Sequence, residues 1–333
     1  MNILYTCDDN YTWIMGISMI SLFENNKDVE EINIYLLGDN ISIENKNKLN
    51  DISKKYKRKL FIIDVPSLDI PEVLYSQRWP ASAYTRLFSG KLLPEKVKKI
   101  IYIDCDTIIL SNIHKLWSSD VSEYVFMGVK DCIGKLYKEN IGLESNSPYI
   151  NAGVLLINLE RLRNIDISSK INSYLNKYIR YINYSDQDIL NGIFEKKIGF
   201  IEPKYNFMTL LSEYNYEEVM KLRNPTNYYT SEQLYIAKNN PCIIHYTTCM
   251  LVIRPWFLNT NHLLANEFEK YKLMSPWKNI KYDNYIFSST ESKVIKIIFK
   301  APRVIAIRCL GIMHGIFKPI SIRIKEKIRR GNL

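Results

Sequence analysis

Short runs of β-branched and aromatic residues alternate with longer stretches of helical character in the first third of the chain, and this alternation restricts the fold more than any other feature. Asn2–Tyr5, Ile32–Leu37, Leu60–Val65 and Lys99–Asp104 read as strands buried on both faces. Between them, Tyr11–Asn25 and Ser42–Tyr56 read as helices. In the first, Trp13, Ile17, Ile20 and Phe23 fall on one apolar face. In the second, Ser42 stands where an N-cap belongs. This order predicts an α/β fold, a Rossmann-like and mostly parallel sheet flanked by helices on both faces. Such sheets take their ligands at the C-terminal ends of the strands. Polar residues just after a strand therefore carry the most weight. Tyr124–Val129, Val154–Asn158 and Ile243–Tyr246 read as further strands, and Ser168–Arg180 and Gln187–Phe194 as further helices. No internal repeat is present.

Charge is informative once it is located. The net charge is +10, and the segment Lys293–Arg330 holds six Lys and five Arg against one acidic residue, Glu326. That tail accounts for the whole excess, so the rest of the chain is neutral. A uniformly basic protein would point to nucleic acid, and none is expected here. A neutral body with a basic, apolar tail points to an anionic membrane surface. Lys293, Lys296 and Lys300 share a helical face, Arg308 interrupts the longest apolar run, and Pro302 and Pro319 are expected to break the tail into short segments. Such a tail lies on a bilayer and does not cross it. No run of ~18 uncharged apolar residues predicts a transmembrane helix. The N-terminus is too short in apolar residues, and meets Asp8 and Asp9 too soon, for a signal peptide. The six cysteines form no CxxC pair, which excludes a zinc ribbon or thioredoxin-like motif, and their scatter suits a reducing cytoplasm.

Asp104-Cys105-Asp106 closes the apolar strand Ile100–Ile103. Two carboxylates at the end of a buried strand are costly unless exposed, paired or metal-bound. Alternate positions of an extended chain face one side, so both acids can reach a single hard divalent ion. A strand-end turn with solvated acids fits the motif equally well. A second acidic pair, Asp186-Gln187-Asp188, opens a predicted helix, where Asp186 either caps free N–H groups or serves a ligand; Gln187 and Asp188 are the better candidates for a sugar contact. Asn151-Ala152-Gly153 leads into a strand with small residues that permit close backbone approach, or that simply make a tight turn. Arg86 is suited to a diphosphate or to acids such as Asp106. Asp131 follows a strand and faces either the same cleft or solvent. His245, after Cys242-Ile243-Ile244, is a metal or phosphate contact or a structural histidine; Thr247-Thr248 and Arg254-Pro255-Trp256 lie close behind it.

Taken in order, Cys7-Asp8-Asp9-Asn10-Tyr11, Tyr84-Thr85-Arg86-Leu87, Tyr102-Ile103-Asp104-Cys105-Asp106, Asn151-Ala152-Gly153-Val154 through Leu159, and Asp186-Gln187-Asp188-Ile189-Leu190-Asn191-Gly192 resemble glycosyltransferase family 8, particularly its bacterial lipopolysaccharide galactosyl- and glucosyltransferases. Tyr205-Asn206-Phe207-Met208 and His245-Tyr246 extend the likeness to about residue 256. The resemblance implies a GT-A fold and a retaining transfer of a hexose from UDP-galactose or UDP-glucose to a lipopolysaccharide or lipooligosaccharide acceptor. It places Asp8 and Asn10 near uridine, and gives Asp104, Asp106 and His245 a manganese ion, or magnesium in its stead. It sets Arg86, Asn151, Asp186 and Arg254 against phosphate or donor sugar, with Gln187, Asp188 and Asp131 at the reacting sugar and acceptor. Tyr205–Asn240, without a clear period, is then a variable, acceptor-facing segment. The basic tail is similar to that family's membrane-binding tail, which implies a cytoplasmic enzyme held at the inner face of the membrane. The implied division is a catalytic domain over 1–260 and an extension over 261–333.

One stretch departs from the family pattern His-Tyr-x-Gly-x-x-Lys-Pro-Trp. Here Thr248 replaces the glycine, the segment is three residues longer, and Arg254 stands for the lysine. Three other readings stay open: a nucleotidyltransferase, against which stands the lack of a glycine-rich N-terminal phosphate loop; a non-catalytic nucleotide-sugar-binding protein, suggested by the altered loop; and a glycosyltransferase of protein or wall polymers.

Overall fold

The computed structural model describes residues 1–65 and 84–329; Arg330, the end of the basic tail, lies outside them. A seven-stranded sheet runs in the order β3-β2-β1-β4-β7-β6-β8. Its strands are β1 (Asn2–Asp8), β2 (Asn33–Asp39), β3 (Lys59–Asp64), β4 (Lys99–Ile103), β6 (Phe126–Lys130), β7 (Ile150–Asn158) and β8 (Ile198–Phe200). β7 alone runs against its neighbours β4 and β6, so the sheet is mostly parallel, as the strand–helix alternation predicts. A three-stranded sheet, β5 (Thr107–Ile109), β10 (Ile243–His245) and β9 (Phe207–Met208), lies beyond the end of β4. β5, β8 and β9 have two or three residues each, too short for a periodic signal.

Helix α1 (Thr12–Glu24) is buried almost all round, so the single apolar face expected from Trp13, Ile17, Ile20 and Phe23 understates its burial. Its small and hydroxyl residues explain why: Ser18 bonds Tyr5 and Thr107, and Gly16 lets the Trp277 ring lie against the helix. Helix α2 (Ile43–Lys55) begins at Ser42, whose hydroxyl accepts the Asn45 N–H. After α3 (Ile167–Tyr178) and α4 (Ser185–Phe194), the stretch 205–240 proves ordered. It holds β9, α5 (Tyr216–Arg223) and α6 (Ser231–Asn239), the last two each opened by a capping box.

The tail also differs from expectation. Pro302 separates a helix over Thr290–Ile298 from the next one, as expected, but Pro319 lies inside a continuous 27-residue helix, Arg303–Arg329. A π-turn at Met313–Phe317 widens the helix just ahead of Pro319, with the Lys318 N–H donating to the Met313 carbonyl. A turn widened there accommodates a ring that would clash in a regular α-turn. The helix is long and apolar enough to cross a bilayer by length and composition. One face, however, is docked on the body: Ala306, Ile307 and Leu310 are fully buried, and Arg303, Arg323 and Glu326 pair with Glu218, Glu139 and Arg180.

Candidate active site

The candidate site forms where the chain changes sheets. β4 ends at Ile103 and β5 begins at Thr107, so Asp104-Cys105-Asp106 is the crossing. Its backbone is tied on both sides. The Asp104 N–H donates to the Gly153 carbonyl of β7 (2.7 Å), and the Tyr246 N–H to the Asp106 carbonyl (2.9 Å). β10 pairs His245 with Thr107 of β5, which brings the imidazole over both acids. His245 Nε2 stands 3.2 Å from Asp106 Oδ1 and 3.6 Å from Asp104 Oδ2. One ligand atom from each of the three lies within 4.8 Å of the others. Gly153 makes room for this, since a Cβ there would sit 2.2 Å from the imidazole Cε1. Two carboxylate oxygens and one imidazole nitrogen could hold a divalent metal ion, and the acids keep some exposure to admit it.

Arginines hold this cluster from two sides. Arg86 pairs with Asp104 (3.0 Å) and Asp186 (3.1 Å), donates to the Ala152 carbonyl, and stacks 4.2 Å from the Tyr102 ring centre. The pairing with Asp106 expected of it belongs instead to Arg254, at 3.1 Å. The longer loop thus returns a cation to the acidic pair, with Arg254 also donating to the Tyr11 hydroxyl and lying over Trp256. Met250, at φ 46°, makes the left-handed turn this loop needs. Burial acts to raise the Asp106 pKa, but His245 and Arg254 outweigh it and hold the carboxyl at about 2. Burial acts to lower that of His245, but Asp106 and Asp104 outweigh it and leave the imidazole above its ordinary value. Burial wins at Asp186, which is raised to about 6 although Arg86 adjoins it.

The entry to α4 sets the next group. Ser185 adopts φ 46°, a left-handed conformation costly for a residue with a side chain, and is buried with its hydroxyl bonded to Tyr84. Beyond it, Gln187 accepts from the Asn151 amide (3.0 Å) and the Ala152 N–H (3.1 Å) and donates to Asp131 (3.0 Å). Asp131, Asn151 and Gln187 are therefore one hydrogen-bonded set. Asp188 has no exposed surface, so the sugar contact expected of it is not available; its oxygens accept from the Tyr137 and Tyr149 hydroxyls, both at 2.6 Å, and from the Asn183 and Tyr184 N–H groups. At the other end, Asp8 accepts the Tyr11 N–H at a short turn that leaves Asn10 exposed.

Three contributors carry no role in the sequence reading. Tyr102 donates to Asp104 at 2.5 Å, and the two-residue spacing on a strand is the signal that would have found it. Asn191 locks α4 to β7 through both N–H and C=O of Ile150. Asn206 faces His245 Nδ1 at 2.9 Å; it lies in the Tyr205–Met208 match, but its partner is not readable locally, because the contact spans 39 residues.

Comparison with known proteins bears on the family and the fold. The chain is 26% identical over 283 residues to general stress protein A of Bacillus subtilis, covering 84% of this chain and 96% of that one. It is 35% identical over 212 residues to a putative glycosyltransferase of Haemophilus influenzae, covering 62% and 63%. It is 28% identical to a lipopolysaccharide 1,2-glucosyltransferase of Escherichia coli, covering 84% and 80%. Among solved structures, the galactosyltransferase LgtC in complex with donor and acceptor sugar analogs superposes with a TM-score of 0.67 at 24% identity, covering 83% of this chain and 96% of that one, so the fold is GT-A. The profile of glycosyl transferase family 8 matches residues 2–260, and the chain belongs to that family of glycosyltransferases.

Proposed function

We propose that this glycosyltransferase is a retaining, metal-dependent enzyme that moves a hexose from UDP-galactose or UDP-glucose onto a lipopolysaccharide or lipooligosaccharide acceptor. The observation that carries it is the convergence of Asp104, Asp106 and His245 at a strand end, with Arg86 and Arg254 alongside. In that reading Asp104, Asp106 and His245 hold the ion, manganese ahead of magnesium. When bound, the ion supplies Lewis-acid stabilisation of the departing diphosphate. In the structure, three carboxylates face two guanidiniums and an imidazole inclined toward its charged form. A bound divalent ion would neutralise Asp104 and Asp106, and Arg254 beside them would add positive charge at the phosphates. Asp8 and Asn10, at the turn after β1, would meet uridine. Asn151, Asp186, Gln187 and Asp131 hold the sugar and the acceptor hydroxyl. Gln187 is a neutral amide and the Asp188 oxygens are fully engaged, so neither is placed as a nucleophile; front-side attack assisted by the leaving phosphate fits these residues. The names of the lipopolysaccharide-acting relatives support the acceptor class.

The tail belongs to the same proposal. Its outward face exposes Val304, Ile305, Ile312, Phe317, Ile324 and Ile328 among basic residues, which suits lateral attachment to an anionic inner leaflet. The test of the donor site is calorimetry with UDP, GDP and CDP at fixed Mn2+. We expect clear UDP preference, lost in Asp104→Asn with the fold retained. Equal affinity for the three nucleotides, or unchanged UDP binding in Asp104→Asn, overturns the reading.

A further inference from the structure

We infer that Asn206 is a positioning residue for the metal site: it fixes His245 with Nδ1 as donor and so presents a bare Nε2 to the ion. The inference rests on the proposed metal role of Asp104, Asp106 and His245, and extends it to a residue that touches neither ion nor substrate.

A buried chain of side-chain hydrogen bonds, each with a fixed direction, ends at His245. An amide can be turned either way, so a direction must come from groups that can play only one part. Two such groups are present. The Gly153 N–H can only donate, and it meets Asn151 Oδ1 at 2.9 Å. The Asp131 carboxylate, when ionised, can only accept, and it meets Asn151 Nδ2 at 3.2 Å. Together they settle Asn151, whose Oδ1 must be the acceptor. That oxygen also lies 2.8 Å from Asn206, which must therefore present its Nδ2. The remaining Asn206 atom is Oδ1, an acceptor with no proton, and it stands 2.9 Å from His245 Nδ1. His245 Nδ1 must then carry the proton. In the neutral ring the lone pair lies on Nε2, the atom turned toward Asp106 and Asp104. Asn206 and its surroundings have no room to adopt another order: Asn206 has no exposed surface, and Asn151 and His245 are buried.

The same chain runs on through Gln187, which shares Asn151 and Asp131. The nitrogen offered to the metal is thus set by the residues assigned to the sugar. Outer-shell partners of a metal-bound histidine fix its tautomer and ring orientation, and their loss typically costs about 10–100-fold in metal affinity.

A structural role alone would weaken all metals alike, so selectivity is the decisive reading. Mn2+ and Mg2+ dissociation constants are measured on the full chain without donor, by electron paramagnetic resonance of free Mn2+ and by Mg2+ competition. A nitrogen ligand matters more to Mn2+ than to the oxygen-seeking Mg2+. In Asn206→Leu we expect Mn2+ affinity to fall roughly 10–100-fold, with a much smaller change for Mg2+. If Asn206→Leu does not fold, Asn206→Ser, too short to reach Nδ1, carries the same expectation. A folded Leu or Ser variant with an unchanged ratio overturns the inference. Failure of the unmodified protein to bind Mn2+ overturns both this inference and the metal reading beneath it.

Discussion

At the scale of single residues, the site is an arrangement of charges that are individually unfavourable and mutually supporting. Asp186 shows the cost. Its folded pKa of about 6 lies above the ordinary 3.8, so the unfolded chain releases this proton first as pH rises. The penalty therefore grows between pH 3.8 and about 6 and is complete above 6. Asp186→Asn should remove it, raising stability by roughly 1–3 kcal/mol at pH 7 relative to the unmodified protein. The gain should vanish near pH 4. Thermal melts of both proteins across that range check the sign, and a constant difference would contradict it. Turnover should fall in the same variant, since a group kept at such a cost is one a ligand uses. Gly153 makes a complementary case. Its hydrogen leaves space that a methyl group would take from the imidazole, at 2.2 Å from Cε1. Gly153→Ala should weaken Mn2+-dependent UDP binding at least tenfold without altering a ligand. Calorimetry showing wild-type affinity would refute it.

At the scale of elements, the decisive event is the passage of one chain from the large sheet to the small one. β4 delivers Asp104, β5 leaves with Asp106 behind it, and β10 returns with His245 opposite Thr107. The motif was legible in the sequence because hydrophobic runs and acids are local. Its partner was legible only as one of several readings, because pairing between β5 and β10 is a contact across more than 130 residues. The tail illustrates the reverse. Its charge and apolar content are plain in the sequence, while its docking is not. Gly311 lies so close to α5 that a Cβ would sit 2.1 Å from the Lys221 carbonyl oxygen. Gly311→Leu should force the helices apart and uncover Ala306, Ile307 and Leu310, costing about 2–4 kcal/mol. Gly315→Ala, where the nearest atom is 4.0 Å away, should cost little. Differential scanning calorimetry of the pair separates docking from helix propensity, since both replacements favour a helix.

At the scale of the whole molecule, a neutral body carries its entire charge excess on one docked helical tail. The docked face is buried, so deleting the tail would uncover core residues and confound any membrane assay. Substituting the outward face avoids this. Ile305→Glu with Phe317→Glu changes residues that are 52% and 66% exposed. We expect the double variant to keep its melting temperature and lose sedimentation with phosphatidylserine vesicles. Unmodified protein should also release as salt rises, since attraction of exposed charges is screened beyond ~10 Å at 0.1 M. Undiminished sedimentation of the double variant would remove the membrane from the proposal.

The sequence by itself determined the alternation that makes the sheet mostly parallel, the strand end on which Asp104 and Asp106 stand, and the confinement of charge to the tail. Each is a local property, readable from period, neighbour and count. Only the tertiary structure decided that Arg86 pairs with Asp104 and Asp186 while Arg254 takes Asp106, that Asp188 is buried with its oxygens fully hydrogen-bonded, that Pro319 is absorbed by a widened turn, and that Asn206 meets His245. These depend on which distant strands pair and on how much room each side chain leaves its neighbour. Such quantities arise only when the chain closes on itself, because buried polar groups must then find partners wherever the packing has placed them.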